Sequence, residues 1–336
     1  MSNEKKSKDW GNISHGYFVK KQAVDIVYKI CRTILLFGLC FLILQPLLDK
    51  LSVSFMATSD IYDGTVISIP RNFTLDNYRM VASDVMLGYW PSLLQTLLIV
   101  TFSALLQISA CTLAGYGFAR FKFPFKNFWF FCVMLIIVVP PQTIMSSLYL
   151  NFRFFDIFGI IRLITGESIN LLNSVMGLFL LSATGMGLKS GLYIFMLRQY
   201  FRGMPKELEE AAWVDGCGKF KTFIRIMLPD AMPMLTSCFL FSFVWQWTDS
   251  FYSSLFLGNY RMLARGLSSL ADRYAQYYAQ VNIGGSAGGV SAFAPVGETQ
   301  MMIAVGMLMC LAPLIILYIV AQKAFVESLS QTGIKM

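Results

Sequence analysis

Six long apolar runs are the sequence feature that most constrains the fold of this chain. A helix needs about 20 residues to cross the hydrocarbon core of a bilayer. Runs of about that length or more fall at 31–51, 90–114, 127–150, 173–199, 231–257 and 299–322. Only 14% of the residues are charged, against about 25% in soluble domains. We therefore predict an all-α, polytopic membrane protein with six transmembrane helices.

The basic residues predict the orientation of these helices. With alternating sides assigned to the six spans, 18 lysines and arginines lie on one side and 7 on the other. The side richer in these residues is the cytoplasmic one. Both termini and the segment between the fourth and fifth spans are therefore predicted to be cytoplasmic. This gives an N-terminal tail at 1–30, a membrane domain at 31–326 and a C-terminal tail at 327–336. The same pattern accounts for the net charge of +8 without any nucleic-acid partner.

The longest charged interval, 205–229, has the pattern of a helix–turn–helix, which we call the 205–229 hairpin. Pro205 suits a first helical position, and Glu207 and Glu209 fall where a helix dipole favours anions. Gly216 is placed to end the first helix in a left-handed conformation, and Pro229 limits the second. Apolar residues at helical spacing in the second helix predict one buried stripe: Phe220, Phe223, Ile224 and Met227. By periodicity alone, a surface hairpin that only links two spans fits equally well.

The residues of this hairpin carry a family resemblance. Glu-Ala-Ala stands at 210–212, Gly216 follows after three residues, and Ile-x-Leu-Pro follows after nine more, at 226–229. This pattern resembles the EAA loop of permease subunits of ABC importers. Four further segments are similar to the second permease chain of carbohydrate importers of the maltose type: NFTLDNY at 72–78, GYGFAR at 115–120, LRQYF at 197–201 and QKAFV at 322–326. The resemblance covers nearly the whole chain after about residue 30.

The resemblance implies the fold of a type I ABC importer permease with a cytoplasmic coupling helix in the hairpin. In that family this helix docks into a groove on the ATPase subunit, where Glu210 would pair with a basic residue. Ala211 and Ala212 would permit close approach, Gly216 would supply the turn, and Asp215 would cap or orient it. The implied coupling residues are Glu210, Ala211, Ala212, Asp215, Gly216, Ile226, Leu228 and Pro229.

The resemblance also implies the partners and the cellular location. These are a second homologous permease subunit, an ATPase subunit dimer, an extracytoplasmic solute-binding protein, and a sugar substrate, all at a bacterial cytoplasmic (inner) membrane. The chain has no phosphate-binding loop of the Gly-x-x-x-x-Gly-Lys-Ser/Thr kind. We therefore expect no cofactor and no enzymatic activity in this chain, with ATP and Mg²⁺ bound by the partner ATPase.

Lys189 is the least expected residue, because it lies inside the fourth apolar run. An ammonium group at membrane depth costs several kcal/mol unless it faces water or a partner. Gly185, Gly187 and Gly191 surround it and predict a break in the helix. Such irregular backbone is tolerated only against protein or an aqueous cavity. Lys189 is therefore predicted either to line the translocation pathway, or to reach the outer interface or a carboxylate of the partner subunit.

A second polar group lies in the outward half of the fifth span and contains Trp245, Gln246 and Asp249. Tryptophan is common at membrane interfaces as an anchor. The other hypothesis is a sugar contact, in which the ring stacks on the sugar while Gln246 and Asp249 accept hydroxyl hydrogen bonds. Both interpretations stay open, and Lys189 makes an acidic sugar a hypothesis worth testing.

The remaining alternatives are other kinds of membrane protein. An ATP-independent secondary transporter or channel would explain the six spans but not the hairpin, and an ABC permease for a non-sugar solute would explain both. A membrane enzyme lacks support, because the seven cysteines and the lone His15 form no pattern of metal ligands. The last outer segment, 258–298, is rich in glycine, serine and alanine, and this composition predicts a flexible connection.

Overall fold

A computed structural model describes residues 3–67, 69–157, 159–283 and 293–333. The described chain is helical and forms no strand, which confirms the predicted all-α class. The α-helices are α1 Asn3–Ser54, α2 Thr58–Tyr62, α3 Asp76–Ala82, α4 Tyr89–Arg120, α5 Lys126–Val138, α6 Met145–Arg153, α7 Ile160–Thr165, α8 Val175–Ala183, α9 Ser190–Gly203, α10 Glu207–Val214, α11 Lys219–Thr222, α12 Leu228–Asp230, α13 Met232–Thr248, α14 Phe251–Phe256, α15 Leu263–Ser268, α16 Leu270–Ile283 and α17 Val296–Gly333. A 3₁₀ helix spans Pro141–Ile144 and a π-helix spans Phe223–Met227.

The chain divides into two compact units, Met1–Thr74 and Leu75–Met336. In the first unit, α1 and α2 are followed by a loop that returns to pair Met56 with Phe73. The buried carboxylate of Asp60 fixes this loop, because it accepts hydrogen bonds from the backbone N–H groups of Arg71 and Asn72 at 2.9 and 2.7 Å. These bonds, chiefly that from the Asn72 backbone, hold the pKa of the Asp60 carboxyl below its usual value.

The second unit is built around α4, which packs against α8, α9 and α13. Gly115 permits the close approach of α9, because a Cβ atom there would lie 2.9 Å from the Cβ of Leu197. An apolar cluster joins the last turns of α4 to α9 and to the hairpin, with Tyr116, Phe201 and Phe223 at its centre. The C-terminal end of α4 and the hairpin are therefore parts of one packed core.

The predicted spans correspond to helices of three kinds. Three continuous helical stretches are long and apolar enough to cross a membrane: Val24–Ser54, Tyr89–Arg120 and Val296–Gln322. Two pairs qualify only as bent spans, Lys126–Val138 with Pro141–Arg153 at 99° and Lys219–Asp230 with Met232–Thr248 at 74°. The fourth predicted span is two shorter helices, α8 and α9. The presence of several membrane-length helices is confirmed, and the number six stays a prediction.

The predicted flexible segment 258–298 is largely helical, so that prediction is wrong for its described part. Its helices α15 and α16 pack against α17, and Leu263 and Leu270 are fully buried. The Tyr274 hydroxyl donates a 2.6 Å hydrogen bond to Glu298 at the start of α17. The prediction failed because the glycine-rich stretch 284–292 dominates the composition of the segment. That stretch lies outside the described residues. Residues 334–336 of the predicted C-terminal tail also lie outside them.

Candidate functional site

The 205–229 hairpin forms a helix–turn–helix in which α10 is followed by α11, the π-helix and α12. Gly216 has φ of +80°, the left-handed conformation predicted for the residue that ends α10. The Cys217 N–H donates to the Ala212 carbonyl at 2.9 Å and the Gly216 N–H to the Trp213 carbonyl at 3.1 Å. This pair of bonds is a Schellman motif, which satisfies the last carbonyls of the helix. The turn is therefore fixed by backbone geometry that glycine adopts without strain.

The inward face of α10 carries a buried ion pair. Glu209 is 4% exposed, and its carboxylate lies 3.4 Å from the Arg120 guanidinium at the end of α4. The Tyr116 hydroxyl donates to the same carboxylate at 2.9 Å, and Arg120 also donates to the Met204 carbonyl at 2.9 Å. Ala212, one turn further, is buried on the same face. A buried ion pair and the Tyr116 hydrogen bond thus join the hairpin to α4, and the Arg120 bond to Met204 holds the residue just before the hairpin.

The outward face of α10 is open to solvent and partly apolar. Glu210, Ala211 and Asp215 are exposed, beside Trp213 at 46% and Val214 at 87%. Large apolar side chains exposed next to charged ones are typical of a contact surface for another molecule. We call this set of residues the outer face of the hairpin.

The predicted coupling residues therefore divide between two environments. Ala212 is buried, and Ile226 and Leu228 are half-buried, whereas the others, Glu210, Ala211, Asp215, Gly216 and Pro229, are exposed. In the second helix only Phe223 and Met227 of the predicted stripe are buried, and Phe220 and Ile224 stay exposed. Sequence reasoning gave Glu209 no role beyond the helix dipole. No sequence signal singles it out, because its partners Tyr116 and Arg120 lie on α4, far away along the chain.

The break predicted in the fourth span is present between Ala183 and Ser190. Lys189 adopts a left-handed conformation, with φ of +61°, immediately before α9 begins. The fully buried side chain of Gln107, on α4, holds the end of the break that precedes α9. Its amide donates to the Leu188 carbonyl and to the Ser190 hydroxyl, each at 2.7 Å. A polar side chain of α4 thereby replaces hydrogen bonds that a continuous helix would make internally.

The break opens on a cleft of about 470 Å³ lined by Lys189, Trp245, Asp249 and Gln142. The Lys189 ammonium lies 5.1 Å from the centroid of the Trp245 ring, a cation–π contact. One carboxylate oxygen of Asp249 accepts a 2.8 Å hydrogen bond from the backbone of Tyr252 at the start of α14.

Gln246 is not part of this cleft. Its amide donates to Gln107 Oε1 at 2.6 Å and to the Ser242 hydroxyl at 2.9 Å, so it belongs to the buried network behind the break. The structure thus brings together three of the four residues predicted for the substrate pathway. Among the described residues, no group of three or more His, Cys, Asp or Glu side chains could hold a metal ion.

Comparison with known proteins assigns the family. Residues 111–331 match the family of binding-protein-dependent transport system inner membrane components. The chain belongs to this family. It is therefore a multi-pass inner-membrane permease component of an ABC importer, a class that works with a binding protein and an ATPase.

Relatives of this permease include several with assigned transport systems. A probable ABC transporter permease protein of Pyrococcus horikoshii is 31% identical over 66% of this chain and 74% of its own length. The arabinooligosaccharides transport system permease protein AraQ of Bacillus subtilis is 26% identical over 92% of this chain and 96% of its own length. In fold, the chain resembles a bacterial ABC transporter involved in the import of the acidic polysaccharide alginate. The TM-score is 0.67 at 18% identity, and the match covers 90% of this chain and 97% of the other.

Proposed function

We propose that this chain is the translocation subunit of an ATP-driven importer that carries an oligosaccharide or a modified sugar into the cytoplasm. The observation that carries the proposal is the division of the hairpin into a buried face joined to α4 and an exposed face with free charges and apolar side chains. A hairpin that only linked two spans would have no need of the exposed tryptophan and valine. The outer face is the surface that would dock on the ATPase.

The coupling step follows from the ion pair on the inward face. ATP-driven closure of the ATPase dimer would move α10, and the Glu209–Arg120 pair with its Tyr116 hydrogen bond would pass this movement to α4. Because α4 packs against α8, α9 and α13, its displacement would rock the helices around the break and expose the cleft alternately to each side. ATP and Mg²⁺ would be bound by the ATPase chains, and this chain would perform no hydrolysis.

The sugar substrate is supported by the relatives that align over most of the chain. Besides AraQ, the maltodextrin transport system permease protein MdxG of Bacillus subtilis is 24% identical over 91% of this chain. A saccharide would meet the Trp245 ring as a stacking surface and the Asp249 carboxylate as an acceptor for hydroxyl groups. Gln246 would contribute by holding Gln107 and the break in place.

The complete transporter would contain a second homologous permease chain, two ATPase subunits and an extracytoplasmic solute-binding protein. Both termini and the 205–229 hairpin would lie in the cytoplasm, as the excess of lysine and arginine on that side indicates. An ATP-independent transporter is the alternative, and it would leave the outer face of the hairpin without a partner.

Co-purification of the ATPase with this chain tests the proposal. The Glu210→Ala variant should weaken ATPase association or solute-stimulated ATP hydrolysis about tenfold or more, because it removes a charge at the docking surface. Asp272→Ala removes an exposed carboxylate from α16, far along the chain from the hairpin, and should change neither. If no ATPase co-purifies with the unaltered chain, and the chain alone supports ATP-free flux, the secondary-transporter alternative replaces the proposal.

A further inference from the structure

A second polar cleft continues the line of the first. It measures about 480 Å³ and is lined by Tyr149, Arg153, Asn170 and Asn173, among others. The Pro141–Ile144 helix borders the first cleft through Gln142, and α6, which follows it directly, borders the second through Met145, Tyr149 and Arg153. The segment around α14 also borders both, with Asp249 to Phe251 in the first and Ser254 and Leu255 in the second. The two clefts therefore lie in series along the same pair of elements.

Each cleft contains one basic side chain, and in both cases an aromatic ring holds it. Arg153 donates to the Tyr149 hydroxyl at 2.8 Å, and its guanidinium lies 5.8 Å and 5.6 Å from the ring centroids of Tyr149 and Phe154. Lys189 lies over Trp245 in the same manner. An aromatic ring orients a cation without neutralising its charge.

Neither cation has a carboxylate partner among the described residues. The ion pairs there join Arg71 to Asp63, Arg79 to Asp76, Arg120 to Glu209 and Arg261 to Asp84. The carboxylate of Asp249 borders the first cleft but forms no ion pair with Lys189, and it accepts hydrogen bonds from the backbone of α14 instead. Both cations border a polar cleft, and neither is neutralised by a carboxylate of the described residues.

We propose that the two clefts form a path for an anionic saccharide, one that carries carboxylate groups of the uronic acid kind. This inference rests on the proposed function and names the substrate class of the same site. Lys189 and Arg153 supply charge-assisted hydrogen bonds to the carboxylates of successive sugar units. Trp245 and Tyr149 present ring faces to the pyranose, and Asp249, Asn170 and Asn173 take the hydroxyl groups. A neutral sugar would use the rings and the amides but would leave both cations unpaired.

The test compares two probes with the same sugar backbone, trigalacturonate and its fully methyl-esterified form, in which a neutral methyl ester replaces each carboxylate. Binding of each to the assembled permease–ATPase complex in lipid nanodiscs is measured by saturation-transfer NMR, without a binding protein. The unaltered complex should bind trigalacturonate about tenfold or more tightly than the ester, because each carboxylate accepts a charge-assisted hydrogen bond that a neutral ester cannot form. Lys189→Met should remove most of this preference, Arg153→Gln should reduce it, and Lys189→Arg should retain it.

The matched control is Arg162→Gln, which removes an exposed arginine on α7 that borders neither cleft and should leave the preference intact. Equal binding of the two probes, binding of neither, or a preference that survives in both Lys189→Met and Arg153→Gln would overturn the inference. ATPase co-purification and hydrolysis are measured on the same samples. If they remain coupled while the charge of the probe has no effect, this inference fails alone, and if the ATPase is absent, the proposed function fails as well.

Discussion

Glu209 and Glu210 are neighbours in sequence and face opposite environments. Glu209 is 4% exposed and paired with Arg120, whereas Glu210 lies on the open outer face of the hairpin. The resemblance to a known motif points to Glu210 as the functional carboxylate, because Glu210 begins the Glu-Ala-Ala pattern. The structure points to Glu209 as the residue that attaches the hairpin, because a buried carboxylate needs a partner. The comparison teaches that one short helix has a buried face attached to the membrane helices and an exposed face for the proposed contact with an ATPase subunit.

The largest effect on stability is expected from Glu209→Ala. The change leaves the Arg120 guanidinium buried without its counter-ion, and breaking one side of a buried pair costs about 3–5 kcal/mol. Thermal unfolding of the purified complex should show a clear loss of stability. The double replacement Glu209→Leu with Arg120→Met should be less destabilising than Glu209→Ala alone, because no buried charge is left. Equal losses in both would mean that packing, and not charge, attaches the hairpin.

Tyr116→Phe should have the next largest effect. It deletes the hydroxyl that donates to Glu209 at 2.9 Å. It keeps the aromatic ring, whose centroid lies 4.6 Å from that of the Phe223 ring. A hydrogen bond to a charged group contributes about 1.5–3 kcal/mol, so the variant should unfold at a lower temperature than the unaltered complex but above Glu209→Ala. A melting temperature equal to that of the unaltered complex would show that the Tyr116 hydroxyl does not stabilise the attachment of the hairpin.

Gly216→Ala tests the turn that separates the two helices of the hairpin. No atom lies within 4 Å of a Cβ added there, so the cost comes only from the left-handed backbone, about 1–2 kcal/mol. Gly218→Ala is the matched control, since Gly218 has an ordinary φ of −71° and equally open surroundings. Thermal unfolding should separate the two alanine variants, and identical curves would show that the turn tolerates a side chain.

Glu210→Ala should have the smallest effect on stability. Substitutions at exposed sites usually change the free energy of unfolding by less than about 0.5 kcal/mol. The variant should therefore melt like the unaltered complex when the permease chains are examined without the ATPase. A loss of stability similar to that of Glu209→Ala would contradict the separation of the two faces.

Sequence reasoning predicted those parts of the fold that depend on local pattern. Apolar run length predicted the membrane-length helices, and the glycines around Lys189 predicted the break in the fourth span. The cleft partners Lys189 and Trp245 were proposed separately, from two different spans. Their contact could not be predicted, because it depends on how α9 and α13 pack against α4.

The features that sequence missed are those set by tertiary contacts. The partners of Glu209 are 89 or more positions away in sequence, at Tyr116 and Arg120, and no spacing rule connects them. Gln107 presents no motif, yet it holds the end of the break where α9 begins. The helices α15 and α16 were missed because the composition of the neighbouring glycine-rich stretch outweighed their own apolar spacing.

Site-specific photo-crosslinking from the outer face tests the central claim most directly. A photo-reactive aromatic amino acid replaces Trp213 in the hairpin or, as a control of the same kind, the exposed Trp90 at the other end of α4. The 32 residues of α4 span about 48 Å. The account predicts a cross-link to the ATPase subunit from position 213 and none from position 90. A complex that contains the ATPase but forms no adduct from position 213, or equal adducts from both positions, would contradict it.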